Sequence, residues 1–154
     1  MPGSENLDFS CFAYASRRTA RAVTNYFNQC LSPFDLNVAQ FGLLAAVVKM
    51  PDSTLAAIGE AMLLDDSTMA RNFNVLERRG LMSAEGGRGR GGKRVSLTRE
   101  GQALYEEALR VWRQTNQKIA RLLGSQQSAA GQAFLQQLSA ASEKLRLKNE
   151  AAGS

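Results

Sequence analysis

The chain contains no histidine, and this absence removes a whole group of active sites from consideration. Without an imidazole there is no Ser-His-Asp or Cys-His nucleophilic site, no His-ligated zinc and no imidazole acid–base catalysis. The acid pair Asp65-Asp66 stands where it can cap a helix, and Glu106-Glu107 are adjacent on a predicted helix and diverge. No catalytic constellation is left, so we expect a protein that is not an enzyme and that uses no cofactor or metal.

Cysteine and long apolar runs are also scarce. The two cysteines, Cys11 and Cys30, are too few for a disulfide framework. No run approaches the roughly 20 apolar residues of a membrane span, and residues 1–6 lack the basic-then-apolar pattern of an export signal. With 44% hydrophobic residues in 154, the sequence predicts about one soluble domain in the cytoplasm, with no membrane partner.

Positive charge is concentrated in one segment. The whole chain has a formal net charge of +5 from 19 Lys+Arg and 14 Asp+Glu. Residues 71–99 hold eight of those bases and two of those acids, so the segment carries +6 and the remainder −1. Clustered cations favour a polyanionic partner, because each neutralised phosphate releases counterions. A solvated basic surface is the alternative.

Apolar spacing predicts helices along most of the chain. Positions 9, 13, 16, 20, 23, 27 and 30 form one helical stripe, so residues 9–30 should be a long helix that packs along its length. Ser32-Pro33 ends it, and a second apolar segment covers 38–48. Near the C-terminus, a helix capped by Thr98 should reach Gly124, and a last helix should begin at about Ser128 and end before a frayed tail.

Between these, two short helices form a helix-turn-helix candidate. Ser53 or Thr54 caps the first, and Asp65 caps the second, which ends before Gly80. Because the second helix turns Met69, Phe73 and Leu76 inward, it turns a polar face outward that suits the major groove. The residues on that face are Ser67, Thr68, Arg71, Asn72 and Val75. An ordinary polar surface helix is the alternative.

A basic hairpin follows the second helix. Residues 81–85 and 94–98 alternate as strands do, and the segment between them is rich in Gly and Arg. A hairpin wing beside a recognition helix is a recurrent DNA-binding arrangement, so the wing cations are predicted to contact DNA. They are Arg88, Arg90, Lys93 and Arg94. An RNA-binding segment of the RGG kind is the alternative, although such segments are usually disordered and repeated.

In this order, the motifs resemble the MarR family of winged helix-turn-helix transcriptional regulators over residues 9–123. The matching pieces are TLAAIGEAM (54–62), LDDSTMARNF (64–73), LERRGL (76–81) and KRVSLTREG (93–101). The resemblance implies a mainly α fold with a β-hairpin wing. It also implies a triangular homodimer with two DNA-binding lobes, and repression that a small molecule or thiol oxidation relieves. The family usually carries Asp-x-Arg in the wing; glycines replace the acid here, so Arg88 and Arg90 are both eligible as the minor-groove arginine.

On this resemblance the chain divides into three parts of one compact molecule. Residues 1–35 and 101–154 supply intertwined dimerisation helices, and residues 36–100 form the DNA-binding domain. The predicted function is a homodimeric regulator, a repressor, that binds double-stranded DNA at a pseudo-palindromic operator. The alternative is a non-DNA interaction module whose basic wing docks an acidic protein.

The start of the first helix resembles the peroxide-sensing OhrR-like branch of the family, in which a cysteine near this point is oxidised. Cys11 shares a helical face with Tyr14 and Arg18, and a nearby cation favours the thiolate. The branch's second-helix tyrosines are replaced by Val38-Ala39-Gln40-Phe41, and an inert packed thiol is the alternative. Cys30 belongs to the apolar stripe, about 28 Å away along a straight helix, which excludes an intrachain disulfide.

Apolar residues between the dimer helices and the DNA-binding lobes are candidates to line a pocket for a small aromatic effector. They are Phe12, Phe41, Leu44 and Trp112. Plain core packing is the alternative for each of them.

Overall fold

The computed structural model describes residues 11–86 and 92–153. Within that part, six α-helices and a two-stranded antiparallel hairpin confirm the predicted mainly α fold with a β-hairpin wing. In chain order the elements are α1 (Phe12–Leu31), a 3-10 turn (Ser32–Phe34), α2 (Val38–Lys49), α3 (Leu55–Ala61), α4 (Asp66–Arg78), β1 (Met82–Glu85), β2 (Arg94–Leu97), α5 (Arg99–Leu123) and α6 (Ser125–Ala152).

The N-termini of the short helices follow the predicted caps. Thr54 Oγ1 accepts a hydrogen bond from the Ala57 N–H at the start of α3, and Asp65 does the same for α4. α2 begins with a capping box in which the Asn37 and Gln40 side chains each accept from the other's backbone N–H. These side chains satisfy N–H groups that a helix leaves without partners in its first turn.

The last helix departs from the prediction at both ends. α6 begins at Ser125 and not near Ser128, because Gly124 alone separates it from α5. Gly124 has φ +81°, a conformation that suits glycine and ends α5 within one residue. α6 also continues to Ala152, past the expected frayed tail. Arg146 pairs with Glu143 one turn before it and with Glu150 one turn after it, which supports these last turns.

The chain divides into two compact units, Met1–Trp112 and Arg113–Ser154, with the boundary inside α5. The first unit contains the described part of the winged helix and the hydrophobic core. Leucines of α2, Met69 and Leu76 of α4, and Met82 and Val95 of the hairpin are almost fully buried there. Phe41 stacks on Tyr105 and Trp112, with ring centroids 5.7 Å and 4.4 Å away. The three-part division of the sequence stays a prediction.

α1 is buried only at its C-terminal end within the single chain. Phe27 and Leu31 belong to the core, and Cys30 is half-buried. Of the earlier positions of the predicted stripe, Ala13, Ala20 and Val23 are exposed and Ser16 is half-buried. In the single chain the stripe therefore enters the core only at its C-terminal end, not along its whole length.

The second unit leaves much apolar surface exposed. α6 buries none of its residues, although four large hydrophobic side chains along it are at least half exposed. These are Phe134, Leu135, Leu145 and Leu147. In the described part of the chain, no single helix is long and apolar enough to cross a membrane. Segments 12–34 and 38–49 reach that length and apolar composition only when taken together, and they are bent by 75° relative to each other.

Candidate nucleic-acid interface

Helices α3 and α4 pack closely at the turn that joins them. A Cβ at residue 59 would lie 2.9 Å from Cγ of Met69, so the close contact needs glycine there. Leu63 in the turn has φ +54°, a conformation that costs energy for a residue with a side chain. The turn holds α4 against α3 as the predicted helix-turn-helix requires.

The Asp65 carboxylate organises the N-terminus of α4. It accepts hydrogen bonds from the Ser67 hydroxyl at 2.5 Å, from the Thr68 N–H at 2.8 Å and from the Thr68 hydroxyl at 2.8 Å. These bonds hold the pKa of Asp65 well below its ordinary value, with the Ser67 bond as the largest cause. The charged carboxylate also interacts favourably with the positive end of the helix dipole. Asp65 is therefore a cap, as its position in the sequence predicts.

The outward residues of α4 differ in how they are placed. Ser67 and Arg71 are exposed, whereas Thr68, Asn72 and Val75 are half-buried. The Asn72 side chain donates through Nδ2 to the Thr68 carbonyl one turn back, at 3.0 Å. One N–H and the carbonyl oxygen of the amide are left to face a ligand.

Val75 lies towards the other end of this face. It lines a shallow cavity of about 330 Å³, whose other walls come mainly from the segment 32–40. Residues just before and at the start of α2 thus border the C-terminal part of the α4 surface.

The two alternating segments pair as the predicted hairpin. Met82 pairs with Leu97 and Glu85 with Arg94, and Met82 and Val95 are buried against the core. The second strand is joined to the loop before α3, since the Val95 N–H donates to the Ser53 carbonyl at 3.1 Å. A further bridge pairs Thr54 with Arg94. The start of the second strand and the start of the helix-turn-helix are thus held together.

The four predicted wing cations fall into different classes. Arg88 and Arg90 lie outside the described residues. Lys93 is exposed at the start of the second strand. Arg94 is also exposed, but its guanidinium Nη1 donates to the backbone carbonyl of Asp52.

Sequence reasoning does not assign a role to Arg79, the C-cap of α4. Its Nη1 donates to the Asp35 carbonyl and its Nη2 to the Phe34 carbonyl at 3.1 Å, and Nη2 lies 4.0 Å from the Asp35 carboxylate. By helical spacing Arg79 belongs to the same face as Asn72 and Val75. No pattern in the sequence could reveal acceptors 44 and 45 residues away.

The residues suggested for sensing are spread over different environments. Phe41 and Leu44 are core residues, and Trp112 is packed between Phe27 and Phe41. Phe12, by contrast, is 62% exposed on α1. Cys11 is exposed at the N-cap of α1. Among the described residues, no group of three or more acids and cysteines is arranged to hold a metal ion.

The fold and the order of these elements match one family. The family model of the MarR family matches residues 34–91, which include the helix-turn-helix and the first strand of the wing. Over this segment the chain is similar to the MarR family. Its fold is the winged helix of transcriptional regulators of that family. A comparison with curated protein sequences gives no significant match.

Solved structures of MarR-type regulators resemble the chain over most of its length. The M. tuberculosis regulator MosR in complex with DNA is 27% identical and has a TM-score of 0.79, covering 88% of this chain and 98% of its own. The Streptomyces coelicolor regulator PcaV, in complex with its natural ligand, is 24% identical with a TM-score of 0.78 over 88% and 97% of the two chains. The repressor CouR bound to p-coumaroyl-CoA is 24% identical with a TM-score of 0.75 over 84% and 91%.

Proposed function

We propose that this protein is a MarR-family transcriptional regulator, a cytoplasmic repressor that binds a pseudo-palindromic DNA duplex as a homodimer. The observation that carries the proposal is the capped helix α4. Its outward face presents Arg71 next to a wing, within a segment that holds the net positive charge of the chain. The similarity to MosR in complex with DNA supports the same partner.

The two DNA-contacting elements have different tasks in this proposal. Arg71 and Asn72, with Ser67, Thr68 and Val75 around them, face base edges in the major groove, where Arg can pair with guanine and Asn with adenine. The wing cations Arg88, Arg90 and Lys93 bind the backbone or the minor groove. Base contacts supply sequence preference, whereas phosphate contacts supply affinity that depends on salt.

Competition binding tests this division. Arg71→Ala should cost about 1 to 3 kcal/mol per half-site for the operator while leaving binding to random duplex nearly unchanged. Lys93→Gln should instead weaken operator and random duplex alike and flatten the salt dependence. Wild-type protein that is retained by an acidic polypeptide but by no duplex at low salt would favour an acidic protein partner and contradict the proposal.

Release from DNA has two candidate triggers. A small aromatic molecule is supported by the fold shared with PcaV and CouR, both of which were solved with ligands. Oxidation of Cys11 is supported by its exposure at the start of α1. If peroxide releases DNA, and Cys11→Ser abolishes that response while Cys30→Ser keeps it, the trigger is the thiol. If DNA stays bound while Cys11 is oxidised, the trigger is a small molecule.

A further inference from the structure

Two arginines of the basic segment donate to backbone carbonyls at opposite ends of α2. Arg79, at the end of the recognition helix α4, donates to the carbonyls of Phe34 and Asp35, just before α2. Arg94, at the start of the second wing strand, donates to the carbonyl of Asp52, just after α2. We call these two sets of contacts the N-terminal clamp and the C-terminal clamp of α2.

The helix between the clamps is a firm support. α2 contributes Phe41, Leu43, Leu44 and Val47 to the core. Its 12 residues span about 18 Å at 1.5 Å per residue. The recognition helix is thus attached near one end of α2 and the wing near the other end. The length of α2 therefore sets the distance between the two attachment points.

The clamp arginines are poorly placed to bind phosphate as well. The Arg79 side chain is only 27% exposed, and two of its guanidinium nitrogens already have carbonyl partners. Arg94 is exposed, yet its bond to Asp52 adds to the backbone contacts that join residues 53 and 54 to the start of β2. Breaking the N-terminal clamp would also take a hydrogen-bond donor away from the part-buried Phe34 carbonyl.

Next to each clamp arginine in the sequence is a cation that, within the described residues, donates to no carbonyl at the ends of α2. Arg78 is exposed, and its one hydrogen bond to another described residue, from Nε to the Asn74 carbonyl, stays within its own helix and uses neither Nη group. Lys93 is exposed immediately before Arg94. The chain therefore offers two adjacent pairs with equal charge and different surroundings.

We propose that Arg79 and Arg94 are positioning residues of the DNA interface, which fasten the recognition helix and the wing to the two ends of α2 and do not bind phosphate. The inference rests on the proposed function, because it divides the cations of the DNA-binding segment into two classes. Arg78 and Lys93 belong to the class that binds phosphate.

Substitutions that keep the charge test the two classes first. Lysine binds phosphate well as a point charge but lacks the planar fork of arginine. Arg79→Lys and Arg94→Lys should each lower operator affinity about tenfold, because α4 or the wing is then less well preorganised in the free protein. The matched variants Arg78→Lys and Lys93→Arg keep a phosphate-binding charge in place, so each should lower affinity by a smaller factor than its clamp neighbour does.

Substitutions that remove the charge give a second readout, the slope of log affinity against log salt. Arg78→Gln and Lys93→Gln should reduce that slope by about 0.9 for each phosphate that the variant no longer neutralises. Arg79→Gln and Arg94→Gln should lower affinity by the same factor at every salt concentration and leave the slope unchanged. If Arg79 and Arg94 acted only through their charge, the Gln variants would change the slope. If they only stabilised the fold, folded variants would keep both the slope and the affinity of wild type.

Hydrogen exchange in the free protein tests the C-terminal clamp without DNA. The Val95 N–H, which donates to the Ser53 carbonyl, should exchange faster in Arg94→Lys than in Lys93→Arg. Unchanged exchange at Val95, or wild-type operator affinity in both Arg79→Lys and Arg94→Lys, overturns the inference and leaves the proposed function standing. Wild-type protein that binds no duplex overturns the proposed function, and the inference with it.

Discussion

At the first turn of α4, one exposed carboxylate receives three hydrogen bonds from two residues. The Ser67 hydroxyl, the Thr68 N–H and the Thr68 hydroxyl all donate to Asp65, and they stabilise its charged form. A protonated Asp65 would accept these bonds less well and would lose its attraction to the helix dipole. The start of α4 should therefore be sensitive to acid.

Asp65→Asn should reveal this sensitivity in urea unfolding. Because folding lowers the pKa of Asp65 below its ordinary value of 3.8, its stabilisation is fully present above that value and is lost as the pH falls through the lower folded-state pKa. We expect the free energy of unfolding of wild type to exceed that of Asp65→Asn by a constant difference between about pH 5 and 8. Below about pH 4 this difference should become smaller.

Asp66→Asn is the matched control, because it removes a charge from the same turn without removing the cap. At neutral pH it should lower the free energy of unfolding by less than Asp65→Asn does. If Asp65→Asn lowered the free energy of unfolding equally at pH 3 and pH 7, the role of the charged carboxylate would be contradicted.

Most of what the sequence predicts about single residues comes from the spacing of neighbouring residues along the chain. Apolar residues three and four apart place Met69, Phe73 and Leu76 in the core, and a side chain that accepts from the first turn identifies Asp65 as a cap. Arg71 and Arg79 carry the same charge on one helix, and spacing cannot tell them apart. Only the fold shows that Arg79 meets carbonyls from a distant segment.

At the scale of elements, the wing meets α5 through an unusually close contact. A Cβ at residue 101 would lie 1.9 Å from the Leu81 carbonyl oxygen, which is backbone and cannot turn away. The same corner is tied by Thr98, whose N–H donates to the Leu81 carbonyl and whose hydroxyl donates to that of Gly80. The angle at which α5 leaves the wing depends on glycine at position 101.

Gly101→Ala should destabilise the protein by about 3 kcal/mol, at the upper end of ordinary substitutions, because the backbone must move apart. Gly131→Ala is the control on α6, where an added Cβ would meet nothing within 4 Å. That variant should be as stable as wild type or more stable by up to about 1 kcal/mol, since alanine favours helix. Chemical denaturation of the two variants checks both values, and equal stabilities would contradict the close contact.

Element ends are harder to predict than element types. The hairpin, the helix-turn-helix and the long C-terminal helices all follow from periodicity and turn residues. The start of α6 does not, because a hydroxyl at Ser128 is a better N-cap signal than Gly124. The single-residue connection forms instead, since glycine at φ +81° can end one helix and begin the next.

At the scale of the whole molecule, the exposed apolar residues of α1 and α6 indicate a partner. A long helix with no buried residue and four exposed large hydrophobic side chains is unusual for a chain that works alone. A second copy with the same surfaces can cover them symmetrically. We therefore expect a dimer whose interface includes α6.

Light scattering checks the oligomeric state. Wild type should have twice the mass of one chain. Leu145→Glu places a charge on the exposed apolar side of α6 and should yield monomer or aggregate with weaker operator binding. Gln136→Glu introduces the same charge at a polar exposed position of the helix and should stay dimeric. A wild-type monomer that binds DNA tightly would refute the dimer.

The clamps on α2 also affect the time course of folding. Each joins residues more than 40 positions apart, whereas helices form from contacts within a few residues. Closing such long loops costs entropy, so we expect these bonds to form after the helices and the core have come together. Interactions made late contribute little to the folding rate and mainly slow unfolding. Arg79 and Arg94 therefore prolong the lifetime of the assembled domain without hastening its formation.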